Sequence, residues 1–388
     1  MFIERPIPTR RIREEFSVHP CVALTGPRQC GKSTLAERIV ADAPASSYFD
    51  LEAGVDRRRL ATPEQTLGPL EGLVVIDEIQ RLPSLFETIR VLVDRPANRA
   101  RLLLLGSASP RLVRGVSESL AGRVGLVDLG GFHLGEVDAK EWQKLWTRGG
   151  FPRSYLARDD RRASLWRRSF IRTFLERDIP QLGITIPAER LRRFWTMIAH
   201  YHGQTWNGAE FARALGTSEA TARRYLDILT GAFMVRALPP WLENLRKRQV
   251  KAPKVYVRDT GLLHELLGLS RENELAGHHK VGASFEGFAV EQLLAGLDTR
   301  DAYFWATHGG AELDLLVLRG GKRYGFECKF ADAPGTTRSM RVALQDLDLS
   351  HLWIVYPGEE AYPLDDRIST LPVSHAGDLA ATLAKGGG

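Results

Sequence analysis

Eight consecutive residues, Gly26-Pro27-Arg28-Gln29-Cys30-Gly31-Lys32-Ser33, have the spacing GxxxxGK[ST]. They follow an apolar run that ends at Leu24 and open a helical stretch that begins at Thr34, which is the context a phosphate cradle requires. Glycines at the two ends let backbone N–H groups converge on phosphate oxygens, and the helix start at Thr34 adds the positive end of its dipole. In that geometry Lys32 bridges the β- and γ-phosphate oxygens of ATP, and the Ser33 hydroxyl ligates magnesium. A second apolar run, Leu73-Val74-Val75-Ile76, ends in Asp77-Glu78. Asp77 is placed to hold the magnesium ion through water and Glu78 to polarise an attacking water, so hydrolysis is expected rather than binding alone.

Two further residues fit around that site. Leu102 to Leu105 lead into Gly106-Ser107, so Ser107 is expected at the tip of a neighbouring strand, as a water-orienting or γ-phosphate-sensing hydroxyl or as a plain strand-end turn. Leu120-Ala121-Gly122-Arg123 closes the next helix. Arg123 is then an arginine finger for a neighbouring copy or a cation on a helix C-terminus.

A separate group of acids lies near the C-terminus. A Gly320-Gly321 turn would join strands 312–318 and 323–330, with paired positions summing to 641. Asp314 then faces Glu327 on one side of the hairpin, with Glu312 and Lys329, while Leu313, Leu315, Phe326, Cys328 and Phe330 face the other. Asp314 and Glu327-Cys328-Lys329 make a D…ExK pattern, in which two carboxylates hold Mg2+ or Mn2+ and Lys329 stabilises developing phosphate charge. Upstream, Glu286 falls in the middle of a helix face formed by Ala289, Val290, Leu293 and Leu297. A carboxylate there requires a partner, and a third acid at the metal site is the expectation. An exposed hairpin with a Glu312–Lys329 ion pair, on a domain that binds without cutting, is the alternative.

The elements that must position these groups fall into three blocks. Short apolar runs alternating with helical stretches from Cys21 to about Gly131 predict a parallel sheet. The pattern from Gly135 to Pro240 is helical. Strand-like runs return at 254–257, 302–305, 313–318, 324–330 and 352–355, with a helix at 284–297. Within the middle block, helices at 209–215 and 218–229 around Gly216-Thr217 predict a helix-turn-helix, with Ser218 as the cap. Thr221, Arg223 and Arg224 lie on its outer face, and Arg246, Lys247, Arg248, Lys251 and Lys254 on a wing.

Composition sets the limits. The chain has 388 residues, a formal charge of +6, 44% hydrophobic residues and 26% charged ones, which fits several soluble domains rather than one core. Residues 140–260 carry 24 Lys/Arg against 11 Asp/Glu, a bias that suits a polyanion or a set of solvated helix faces. Three cysteines without a CxxC pair argue against a zinc site or a disulfide framework. No membrane-spanning run and no secretory leader are apparent, so a cytoplasmic location is expected.

In their order and spacing GPRQCGKST, VVIDEIQ, LLLGSAS and SLAGRV resemble the AAA-type ATPases of bacteria and archaea. Gly150-Phe151-Pro152, the stretch from Pro253 to Leu262 and Glu312-Leu313-Asp314 resemble the C-terminal domain of unknown function 4143 that accompanies this core. The resemblance implies an α/β P-loop core over 1–135, a helical and winged-helix domain over 136–250, and a PD-(D/E)xK nuclease-like α/β domain over 251–388. The expected function is ATP hydrolysis by a homo-oligomer, for instance a hexamer, acting on DNA by structure rather than sequence, with cleavage by the C-terminal domain left open. An ATP-dependent switch that recruits a protein partner is the other reading.

Overall fold

The structure is a computed structural model, which describes residues 2–107, 118–242, 249–269, 272–297, 299 and 301–385. The chain forms two compact units. The first takes the chain up to Gly131 and adds Asp178–Ile184 and Gly231–Phe233.

At its centre is a five-stranded, all-parallel sheet of β1 (Cys21–Gly26), β2 (Ser46–Asp50), β3 (Gly72–Asp77), β4 (Ala100–Ser107) and β5 (Val124–Asp128), in the order β2-β3-β4-β1-β5. Cys21 through Leu24 and Leu103 through Leu105 have no exposed surface. A parallel strand covered on both faces needs such a continuous apolar run rather than an alternating one. Helix α1 (Pro6–Val18) starts on a proline and buries Pro8 and Ile12. Helices α2 (Lys32–Ala41) and α3 (Leu85–Val93) follow, and α3 buries Leu85, Phe86, Ile89 and Leu92, one stripe at helical spacing. All five strands coincide with the apolar runs read from the sequence.

The second unit begins with helices α4 (Trp142–Arg148), α5 (Asp160–Thr173) and α6 (Ala188–His200). Its helix-turn-helix is α7 (Gly208–Leu215) and α8 (Glu219–Gly231), with Gly216 left-handed at φ 59° between them. Asn207 caps α7, and the Ser218 hydroxyl accepts from the Thr221 N–H at 3.2 Å. The middle block is not helical throughout, because β6 (Gln204–Thr205) and β7 (Val235–Leu238) flank the helix pair. Both pair antiparallel with β8 (Lys254–Val257) in the order β6-β8-β7. Lys254 therefore sits within a strand, 3% exposed, rather than on a solvated wing. Arg246, Lys247 and Arg248 lie outside the described residues.

A buried helix, α10 (Val281–Leu297), follows α9 (Thr260–Leu266) and packs on a six-stranded mixed sheet. That sheet comprises β9 (Ala302–Ala306), β10 (Glu312–Arg319), β11 (Lys322–Cys328), β12 (His351–Tyr356), β13 (Pro363–Asp365) and β14 (Ile368–Pro372), ordered β13-β14-β12-β11-β10-β9. The β10–β11 hairpin has the expected register, with Leu315 opposite Phe326 and Arg319 opposite Lys322 across Gly320-Gly321.

Candidate functional site

The loop after β1 is shaped by its backbone. A Cβ on Gly26 would stand 2.1 Å from the Leu129 carbonyl oxygen, so no side chain fits there. Gln29 and Gly31 take positive φ, 63° and 98°, which turns the chain into α2. Arg5, from the start of the chain, braces the loop by donating to the carbonyls of Cys30 at 3.1 Å, Gly130 at 3.2 Å and Gly131 at 3.0 Å. Pro27, Arg28 and Cys30 complete the turn, and Ser33 and Thr34 lie in the first turn of α2. The buried Lys32 ammonium donates to the carbonyls of Gly26 at 3.0 Å and Pro27 at 2.7 Å, inside the loop that would hold phosphate. Arg28 is ion-paired with Asp178 and donates to Gln181 Oε1 at 2.8 Å.

Asp77 ends β3 and is 5% exposed. Its Oδ2 accepts from the Ser33 hydroxyl at 2.6 Å and from the Tyr48 hydroxyl at 2.7 Å, while Oδ1 accepts from the Glu78 N–H at 2.8 Å. Ser33 and Asp77 thus present hard oxygen donors at one point, and a Ser33 oxygen that donates its proton to Asp77 keeps lone pairs for a cation. This pair fits magnesium. Tyr48 was not singled out in the sequence. Its phenol is pushed up, first by burial and then by the Asp77 charge, and so stays protonated as a donor.

Glu78 occupies the left-handed region at φ 54°, an uncommon position for a non-glycine residue and one that recurs at functional sites. Burial raises its pKa above 4.5, against the lowering pull of Lys32 and Arg28. Gln80 donates through one nitrogen both to Glu78 Oε2 and to the Ser107 hydroxyl, the latter at 3.0 Å. Ser107 is paired in register with Gly26. Glu78, Gln80 and Ser107 therefore form one hydrogen-bonded chain beside the phosphate loop, and Gln80 is its unforeseen link. Arg123 is not part of this group. It precedes Val124 at the opposite end of β5 and pairs with Asp94 at 2.7 and 2.8 Å on the surface.

The C-terminal acids do converge, but on a lysine. Lys254 Nζ lies 2.8 Å from Glu286 Oε1, 2.6 Å from Glu312 Oε1 and 3.0 Å from Asp314 Oδ1. Tyr256 donates to the same Glu286 oxygen at 2.7 Å. Asp314 Oδ2 accepts from the Cys328 N–H at 2.9 Å. Lys329 pairs with Glu327 at 2.7 Å rather than with Glu312, and Glu327 Oε2 is buried without a partner. Burial, and then the Asp314 charge, push Glu286 up to about 7 and Glu327 up to about 8. Burial opposes the charge on Lys254, but Asp314, Tyr256, Glu286 and Glu312 together hold it well above the usual lysine range. Glu286, Asp314, Glu327 and Lys329 thus lie in one neighbourhood, and the partner that Glu286 meets on its helix face is Lys254. Among the described residues no group of three or more His, Cys, Asp or Glu side chains is arranged to hold a metal ion. This donor set does not fit a divalent cation.

Comparison with known proteins agrees with the two-part reading of the motifs. Residues 18–137 match an AAA domain model, 139–273 a domain of unknown function (DUF8612) and 281–376 another (DUF4143). An uncharacterized protein of Mycobacterium tuberculosis is 52% identical over 372 residues, covering 96% of this chain and 84% of that protein, and one of Mycobacterium bovis is equally similar. Among solved structures, a Walker-type ATPase of Pyrococcus abyssi shares the fold with a TM-score of 0.51, at 15% identity, over 69% of this chain and 96% of that one. No described helix is long and apolar enough to cross a membrane.

Proposed function

Because the chain belongs to the family of AAA-type ATPases that carry the C-terminal domain of unknown function 4143, we propose that it hydrolyses ATP with magnesium and couples hydrolysis to work on DNA. The observation that carries the hydrolytic half is the convergence of Ser33 and Asp77 on one point, next to the Glu78–Gln80–Ser107 chain.

The residues divide the work. Lys32 exchanges the Gly26 and Pro27 carbonyls for β- and γ-phosphate oxygens, and Ser33 and Asp77 hold the cation. Magnesium, when bound, neutralises charge on the phosphates. Glu78 takes the proton side of the attacking water, and its raised pKa makes it a better base than an ordinary glutamate. Gln80 and Ser107 fix where that carboxylate points. Arg123, at the far end of β5 from its own loop, is suited to the site of a second copy, which supports a homo-oligomer.

The DNA half is supported by the +13 excess of residues 140–260 and by Arg223 and Arg224, both exposed on α8. Phosphate contacts of that kind favour structure over sequence and weaken with salt. The test measures ATP turnover with single-stranded, duplex and branched DNA at low salt. Stimulation that Lys32→Ala abolishes supports the proposal. Turnover by Lys32→Ala equal to wild type overturns the site, and a rate indifferent to every DNA overturns the DNA half in favour of a switch that recruits a protein.

A further inference from the structure

The carboxylates of the C-terminal unit have the residue types and spacing of a divalent metal site, and their geometry shows what neutralises them. Glu286 comes from α10, Glu312 and Asp314 from β10, and Glu327 from β11. The cation at their centre comes from the first residue of β8, the strand that pairs with β6 and β7 beside the helix-turn-helix. We infer that Lys254 is the resident cation of this cluster, so that the acids serve as a socket that clasps β8 to α10 and β10 and not as a metal centre for DNA cleavage. The inference is independent of ATP hydrolysis.

Three observations carry it. First, Lys254 is 3% exposed and lies within 3.0 Å of three carboxylate oxygens from two elements, so each of its three N–H groups has an ionic acceptor. Second, three of the oxygens a metal would need are already engaged. Both oxygens of Asp314 are taken, by Lys254 and by the Cys328 N–H, and Glu286 Oε1 is shared by Lys254 and Tyr256. A dication placed among them would also face an ammonium at close range. Third, Tyr256 stands two residues beyond Lys254, and hence on the same face of β8, and reaches the same glutamate. Two donors from one strand face onto one acid are what a docking contact requires. The remaining acid, Glu327, is answered by Lys329 on one oxygen. Its raised proton affinity, like that of Glu286, suits a pocket that already holds its cation and balances the remaining negative charge with protons.

The experiment counts bound Mn2+ by electron paramagnetic resonance on the full chain without nucleotide, for wild type and for Glu327→Gln and Asp314→Asn, with circular dichroism to confirm folding. Equal stoichiometry in all folded proteins is expected, because no ion occupies the cluster. The loss of one Mn2+ equivalent in Glu327→Gln overturns the inference, and this variant decides alone if Asp314→Asn does not fold, since it alters a carboxylate with one free oxygen. A parallel measurement compares Lys254→Met with wild type by thermal unfolding without metal. A clear fall in Tm, or failure to fold, is expected from three acids, Glu286, Glu312 and Asp314, left without their shared cation, whereas an unchanged Tm overturns the clasp.

Discussion

Tyr48→Phe removes one hydroxyl and leaves the ring in place. In the structure that hydroxyl is one of two donors on Asp77 Oδ2, 2.7 Å away, with Ser33 as the other at 2.6 Å. A hydrogen bond to an ionised acceptor is worth about 1.5–3 kcal/mol, and about 1.4 kcal/mol is tenfold in an equilibrium or a rate. With one donor on Oδ2 instead of two, the Asp77 carboxylate is held only by Ser33 and the Glu78 N–H, and the Ser33 lone pairs are less firmly aimed. The loss therefore falls on magnesium. The half-saturating Mg2+ concentration should rise by roughly ten- to a hundredfold, with a smaller fall in kcat at saturating Mg2+. The assay is steady-state ATP turnover against Mg2+ concentration at fixed ATP, with circular dichroism as a control for folding. Combining Tyr48→Phe with Asp77→Asn should add little further, since the tyrosine acts chiefly through the aspartate, with a lesser hydrogen bond to Ser33. Half-saturation within twofold of wild type would refute the reasoning, as would an undiminished tyrosine effect in the Asp77→Asn background.

Three other outcomes follow from the geometry. Glu78 must be ionised to accept a proton and burial raises its pKa above 4.5, so the acidic limb of the ATPase pH profile should lie above that value, and Glu78→Gln should bind ATP but not turn it over. An acidic limb at or below the ordinary glutamate pKa counts against Glu78 as the base. Gly26→Ala places a methyl 2.1 Å from the Leu129 carbonyl oxygen, so nucleotide binding, read by a fluorescent ATP analogue, should be lost, and wild-type affinity would contradict the packing. Glu327 binds its proton more tightly folded, at about 8, than unfolded, at 4.5. The stability it contributes is complete below pH 4.5 and fades as pH rises through about 8. The wild-type Tm should fall over that window and that of Glu327→Gln should fall less, while parallel curves would show that the carboxyl titrates normally.

What was legible in the sequence follows from the range of each signal. The central strands β1, β3 and β4 could be read because a strand buried on both faces must be an uninterrupted apolar run, as Leu102 to Leu105 are. The hairpin register could be read because a two-residue turn fixes every pair beyond it, so Gly320-Gly321 alone aligns Leu315 with Phe326. Strands β6 and β7 could not, since four residues such as Val235–Leu238 carry too little alternation to stand out between two helices. Tyr48 and Gln80 escaped for another reason: Tyr48 bonds to Asp77, 29 positions away, and Gln80 to Glu78 across a tight turn and to Ser107, 27 positions away, and no spacing announces such contacts.

Lys254 shows where such reading turns over. Its neighbours in sequence are basic, so charge alone placed it on a solvated wing, while the helix period placed Glu286 on an apolar face in need of a partner. Each inference was local, and the two residues are 32 positions apart. Burial joins them: an acid on an apolar face and a lysine in a strand each carry a desolvation cost that neither can bear alone. The same argument that asked for a metal beside Glu286 is met by any buried cation, and a chain that has one of its own within reach does not require the ion. A carboxylate pattern therefore identifies a cation site, and the nearest buried lysine has to be located before that cation is taken to be a metal.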